Sequence, residues 1–414
     1  MNSPLYEWAD RQINQCPRYE IGFTQLFSSG QYFLDSKAFD NYSEKLSVIR
    51  EFQSSALKLF RASLRNDTDP KLLHWLINET PESLGINYHR NLEARHFSLP
   101  LFFRTDEAKP GRIVEIQCPG SLWGDLQLSY DYLVESKLIS NGMSPAQKFS
   151  SQLASLLSDT PIVHHLMDNS SSPSSTRYFI EKTRPKVKYW GIDKDIFPRD
   201  CNFVRSHSFF GLCADNEFSS RLKKVGDGVT YDYPPHVLFD QKATIVLPFW
   251  SLTRDSFSDK IRNLFVFSTP LLPQGIELDD GSNVTIEEFS KWTRSKRAFF
   301  LKYAGSDVAL NWGSKAVYRL SNISSNKCYK LLMDCLSQYE KGHIWLLQKE
   351  EKCDETINFI NRDYKQQTQN LRAKYSAFYG PFACLGILAM HRSNYKVHGQ
   401  ADTIISYVES TTPN

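Results

Sequence analysis

The spacing of apolar residues changes along the chain, and each change predicts a different kind of structure. From Tyr42 to Asn66, Leu46, Ile49, Phe52, Leu57, Phe60 and Leu64 recur at near-helical intervals among polar residues. Asp67-Thr68-Asp69-Pro70 then supplies capping side chains and a first-turn proline for a second helix, Lys71 to Glu79, with Leu72, Leu73, Trp75 and Leu76 inside. Residues 1–95 read as an N-terminal helical segment, with His74 and His89 on its polar faces. At Leu101 the rhythm becomes that of strands. Leu101-Phe102-Phe103, a turn over Glu107 to Gly111, and Ile113, Val114 and Ile116 predict a β-hairpin, followed by a helix from about Asp125 to Ser136. Residues 141–160 are polar and serine-rich around two weak helices, which closes a unit at 96–150.

From Pro161 strands and helices alternate: a strand at Ile162 to Met167, a helix at Ser174 to Thr183, a strand at Val187 to Ile192, then Phe203-Val204 and Val237 to Phe239. That order predicts a Rossmann-like α/β unit over 151–245. It lacks G-x-G-x-x-G and is not read as a dinucleotide site. His164 and His165, adjacent on a strand, point to opposite faces and do not share a metal. Over 246–414 the pattern predicts a helix starting near Ser258, strands at Arg297 to Tyr303 and His343 to Gln348, an amphipathic helix at Cys328 to Glu340, and two long strands at Leu371 to Gly380 and Phe382 to Met390.

The hairpin carries the first candidate chemistry. Side chains alternate along a strand, so Arg104 shares a face with Asp106, and Glu115 with Gln117. A four-residue loop, Glu107 to Pro110, pairs Asp106 with Gly111 and Arg104 with Ile113, and the four polar groups converge; an odd loop separates them. Two carboxylates and an amide oxygen on one patch suit Mg²⁺, which takes oxygen ligands and leaves room for phosphates and water. A solvated outer face of a one-sided sheet accounts for the same residues.

R-x-D, a short turn, then E-x-N followed by small residues is the metal-binding hairpin of the circularly permuted ATP-grasp ligases, among them the glutathionylspermidine synthase family. The chain resembles it at Arg104-Thr105-Asp106 and Glu115-Ile116-Gln117, with Gln117 where that pattern has Asn. Further likenesses follow in order. Lys260 opens a helix; Lys302 lies near the end of the strand RAFFLKY, which precedes a loop with Gly305, Gly313 and Ser314; Gln348, Lys349 and Glu350 end an apolar strand; Arg392 ends another. The resemblance implies an α+β, ATP-grasp-like, circularly permuted fold with a Rossmann-like pre-ATP-grasp unit and an N-terminal helical segment, the lobes lying in 246–414. It implies Mg²⁺ on Asp106, Glu115 and Gln117, and ATP phosphates on Lys260, Lys302 and the loop 304–316. It places adenine against the backbone of Gln348 and Lys349, ribose at Glu350 or Glu351, and developing charge at Arg104 and Arg392. The implied reaction joins a small-molecule carboxylate to an amine (amino acid, peptide or polyamine) through an acylphosphate, releasing ADP and phosphate. A nucleotide-binding scaffold without ligase chemistry is the alternative.

Composition narrows the rest. A hydrophobic fraction of 41% and a charged fraction of 23% over 414 residues are ordinary for a globular chain with a sizeable core. A net charge of +3 without a dense Lys/Arg block argues against nucleic acid. The eight cysteines are scattered, with no C-x-x-C pair, which fits free thiols in a reducing cytosol. No apolar run reaches the ~18 residues that span a bilayer, so a cytoplasmic protein without membrane partners is expected.

Overall fold

The computed structural model of the protein describes residues 26–29, 32–34, 36–78, 85–92, 94, 97–117, 122–157, 162–166, 173–183, 188–190, 203–206, 230–232, 234–239, 241–311, 315–361, 365–397 and 402–410. The strands are β1 (Leu26–Phe27), β2 (Tyr32–Leu34), β3 (Phe103–Lys109), β4 (Arg112–Gln117), β5 (Ile162–Leu166), β6 (Lys188–Trp190), β7 (Phe203–Ser206), β8 (Thr230–Tyr231), β9 (Ser268–Pro270), β10 (Ile276–Glu277), β11 (Asn283–Val284), β12 (Phe299–Tyr303), β13 (Val317–Arg319), β14 (Trp345–Lys349), β15 (Asp354–Ile360), β16 (Gln366–Tyr379), β17 (Cys384–Arg392) and β18 (Ile404–Ser410).

Besides the β10–β11 hairpin, they form three sheets among the described residues. The largest runs β1-β18-β17-β16-β3-β4, with β15 also on β16 and β2 also on β18. Its organiser is β16, whose first half pairs with β15 and whose second half pairs with β3, while β17 lines its other edge. β1 and β2 join β18 in parallel, so residues 26–34 complete a sheet built mainly from 354–410. A second sheet runs β13-β12-β14-β9 and is antiparallel throughout. The third, β6-β5-β7-β8, is all parallel, with the helix Pro173–Thr183 between β5 and β6.

The long helix Ser36–Leu64 forms because its apolar residues fall on one stripe. Ile49, Phe52, Ala56 and Phe60, spaced three and four apart, are fully buried. Phe52 packs on Phe265 with ring centroids 4.5 Å apart, so this helix backs the segment that leads into β9. The next helix, Pro70–Ile77, starts as predicted: Asp69 accepts a 2.8 Å bond from the Lys71 N–H, and Pro70 occupies the first turn.

Several expectations are corrected. The hairpin turn is the two-residue Pro110-Gly111, not four residues, and β3 continues to Lys109. The register is therefore Asp106 opposite Glu115 and Arg104 opposite Gln117, with irregularities on both sides of Glu107. All four polar side chains still share a face, because the shift preserves parity. Val237–Phe239 is a 3-10 turn, fully buried behind Pro234-Pro235, rather than a strand. Among the described residues of 141–160 there is one helix, Pro145–Leu156, started by a Ser144/Gln147 capping box. His89 is buried: its Nδ1 meets the Gly85 carbonyl at 2.9 Å and its Nε2 accepts from the Val237 N–H at 3.2 Å. Burial lowers its pKa to about 4, so it stays neutral and structural.

On the opposite face from Asp106, Glu107 gathers the Tyr42 hydroxyl (3.0 Å), the Gly111 N–H (2.6 Å) and the Thr105 hydroxyl (3.2 Å), which fastens the turn to the long helix. Gly111 holds φ +82°, and a Cβ there would meet Lys45 only at ordinary contact distance, 3.5 Å. The cost of a side chain is thus backbone strain alone. Gly111→Ala is expected to destabilise the protein by about 1 to 2 kcal/mol in denaturant unfolding; an unchanged midpoint would show that the turn relaxes.

Candidate functional site

The face of β3, β4 and β16 that carries Asp106 is where the charged residues meet. Ser376 lies directly across from Asp106, and Lys374 one same-face step away. The Asp106 carboxylate is fully engaged. Oδ1 accepts from Arg104 Nε (2.9 Å) and Ser376 Oγ (2.8 Å), and Oδ2 from Lys374 Nζ (2.8 Å). Arg104 Nη2 also donates to Gln117 Oε1. Burial would raise the Asp106 pKa, but the Arg104 and Lys374 charges and the bonds from Lys374 and Ser376 hold it well below the carboxylate range. Glu115 is similar: burial pushes it up, the Lys242 ammonium 3.2 Å away pulls it down, and the net direction is down.

Lys242 stands in a 3-10 turn, Lys242–Val246, whose residues are all buried. Two helical contacts set its place. Trp75 Nε1 donates to the Ala243 carbonyl at 2.9 Å, and Gln241 is held between the Leu76 carbonyl and the Asn78 amide, both at 2.7 Å. The N-terminal helices thus deliver a lysine to the hairpin.

From the second sheet come Lys302 and Gln348, which share a face across β12 and β14. Lys302 Nζ donates to Gln348 Oε1 at 2.6 Å, while the Gln348 amide donates to the Val114 carbonyl (3.1 Å) and to Ser268 Oγ (3.0 Å). The Val266 N–H also bonds the Ile113 carbonyl at 2.9 Å. The two sheets are stitched along β4, with Lys302 at the seam. Among the described residues Lys302 makes no ion pair. Its pKa is lowered to about 8, first by burial and then by Lys242 and Lys374, against the opposing pull of Glu115 and Asp106.

The predicted residues divide accordingly. Arg104, Asp106, Glu115, Gln117, Lys302 and Gln348 are brought together. Lys260 is exposed on the helix Asp259–Leu264, and the buried lysine at the hairpin is Lys242 instead. Gln348 contributes its side chain rather than free backbone. The N–H groups of Lys349 and Glu350 already bond the carbonyls of Phe267 (2.9 Å) and Ala298 (2.7 Å). The Glu350 carboxylate faces Arg319 at 2.7 Å and Arg372 at 3.6 Å. Gly305 is buried between β12 and a four-residue helix, Val308–Asn311; Gly313 and Ser314 lie outside the described residues. Arg392 is paired with Arg372, one same-face step beyond Lys374, and bonds Asp402 and the Lys396 carbonyl at 2.8 Å each. Lys242, Lys374 and Ser376 were not singled out from sequence. Lys242 had one visible signal, a lone cation inside the apolar run of residues 237–250.

With this geometry in hand, resemblance to known structures becomes informative. A glutathione synthetase-like effector from Globodera pallida, in its apo form, superposes with a TM-score of 0.52 at 11% identity, over 98% of this chain and 97% of that one. The chain has that effector's fold. A provisional gamma-glutamylcysteine synthetase from Methylobacillus flagellatus is more distant, with a TM-score of 0.36 at 10% identity over 83% of each chain. No family model and no curated protein matches the sequence.

Two outcomes test this charge cluster. Asp106→Asn leaves Arg104 and Lys374 without their shared counter-ion and is expected to cost about 3 kcal/mol in unfolding free energy; a neutral effect would mean the three groups are not coupled. Lys302 gives the pH dependence. An anion that binds beside it restores the charge lost above its pKa of about 8. Affinity for a phosphate ligand should therefore fall as pH rises through about 8. Lys302→Arg, charged throughout, should remove that fall in a titration series.

Proposed function

We propose that the chain is an ATP-dependent ligase that joins a carboxylate to an amine. The observation that carries this reading is the convergence of Arg104, Lys242, Lys302 and Lys374 over one buried and one partly buried carboxylate, on a glutathione synthetase-like fold. Four preorganised cations in a water-poor seam are what a transferring phosphoryl group needs, since its transition state spreads negative charge over several oxygens.

The chemistry runs in two steps. A substrate carboxylate oxygen attacks the γ-phosphorus, the bond to the β-phosphate oxygen breaks, and ADP leaves. The amine nitrogen then attacks the acyl carbon, phosphate departs, and the amine proton goes to solvent or phosphate. Lys302 and Lys242 bind the phosphates; Arg104, oriented by Asp106 and Gln117, faces the same patch. Gln348 is a positioning residue that fixes the Lys302 ammonium. No protein nucleophile is required.

Magnesium is implied by the fold family, and the donors do not fit it as they stand. Asp106 gives its oxygens to Arg104, Lys374 and Ser376, Gln117 gives its oxygen to Arg104, and Glu115 is paired with Lys242. Among the described residues no three acidic, His or Cys side chains are grouped to hold a metal. Neither step above is routed through one.

A second reading, a nucleotide-binding scaffold without turnover, is favoured by the segment after Lys302. It holds a short helix, Val308–Asn311, where a glycine-rich closing loop is expected.

Product analysis separates these readings. With ATP and a panel of amino acids, small peptides and polyamines, the ligase releases ADP and phosphate, one of each per amide formed, and Lys302→Met loses that release. AMP as the main nucleotide product would overturn the acylphosphate route. ATP binding with no release across the panel would favour the scaffold.

A further inference from the structure

We propose that this charge cluster binds the phosphates of its nucleotide directly through Lys242, Lys302, Lys374 and Arg104, with no divalent cation between protein and phosphate. The proposal rests on the nucleotide-binding part of the reading above and goes beyond it by assigning the ionic form of the ligand.

A carboxylate attracts magnesium by its charge and its open lone pairs. Asp106 has neither to offer: Lys374 stands 2.8 Å from Oδ2, while Arg104 and Ser376 take Oδ1. Glu115 carries Lys242 at 3.2 Å. Each acidic group at the hairpin thus has a lysine as its counter-ion.

Nor is Lys374 loosely placed. It projects from β16, paired on both sides by β3 and β17, and its side chain is 17% exposed. Seating a divalent ion on Asp106 requires moving that ammonium and bringing two more positive charges towards Arg104, Lys242 and Lys302.

Charge balance points the same way. Arg104, Lys242, Lys302 and Lys374 meet around the two carboxylates Asp106 and Glu115. Lys302 has an amide rather than a carboxylate as its hydrogen-bond partner. A free polyphosphate brings its full charge to these cations. Its magnesium complex, with two negative charges neutralised beforehand, attracts them less. In this chain fixed lysines stand in for the charge that a metal supplies at other phosphate sites.

The test is calorimetric titration of the full chain with ATP, once in EDTA and once in excess magnesium. The expected result is equal or tighter binding in EDTA. Lys374→Met should weaken the EDTA affinity about 10- to 100-fold, the size of one charge-assisted hydrogen bond. In Lys374→Glu, which frees Asp106 and adds a carboxylate beside it, binding should become metal-dependent, with Mn²⁺ uptake visible by electron paramagnetic resonance. Wild-type binding that tightens tenfold or more in magnesium overturns this inference while leaving nucleotide binding intact. Absence of ATP binding in both media overturns the nucleotide reading itself, and the inference with it. The wild-type comparison stands whether or not either variant folds.

Discussion

The Asp106 carboxylate is the interaction on which the candidate site depends. It belongs to β3, its partners Lys374 and Ser376 belong to β16, and its third partner Arg104 lies two residues back along its own strand. A buried carboxylate without such partners would cost several kcal/mol, so the strand pairing and the charge arrangement enforce each other. Once β3 sits on β16 in this register, Arg104, Glu115 and Gln117 follow on the same face by alternation.

The other cations arrive by separate routes. Trp75 and Asn78 seat the turn that carries Lys242, and Gln348 ties Lys302 to the backbone of β4. Each anchoring group is neutral, so none consumes a charge. The members of the cluster are therefore held still without spending their charge on these anchors, which is the condition for strong electrostatic binding without reorganisation.

Much of this was legible in the sequence, for reasons that particular residues make plain. The helices Ser36–Leu64 and Pro70–Ile77 announce themselves by apolar spacing and by Asp69-Pro70. The sharing of one face by Arg104, Asp106, Glu115 and Gln117 survived an error in the register, because alternation depends on parity and not on which pair is opposite which. The register itself was hidden: the irregularities fall beside Glu107, whose carboxylate bonds Tyr42, 65 residues away in the chain. Lys374 was hidden for the same kind of reason, since nothing local says that β16 lies beside β3. Gln348 was assigned by analogy to a backbone role, whereas its neighbours show its strand fully paired and its side chain at work.

The pairing of the first strands with the last has a consequence for how the molecule is made. Leu26 lies beside Ile404, and Tyr32 beside Val408. Tyr32 is further fixed by Glu355, which also receives His391 at 2.9 Å and the Tyr375 hydroxyl. During synthesis, residues 26–34 leave the ribosome well before any of these partners exists. They must wait, unpaired, while the intervening chain is built and folded. Closing so long a loop contributes a slow step to assembly, and the largest sheet cannot be completed before β18 is made.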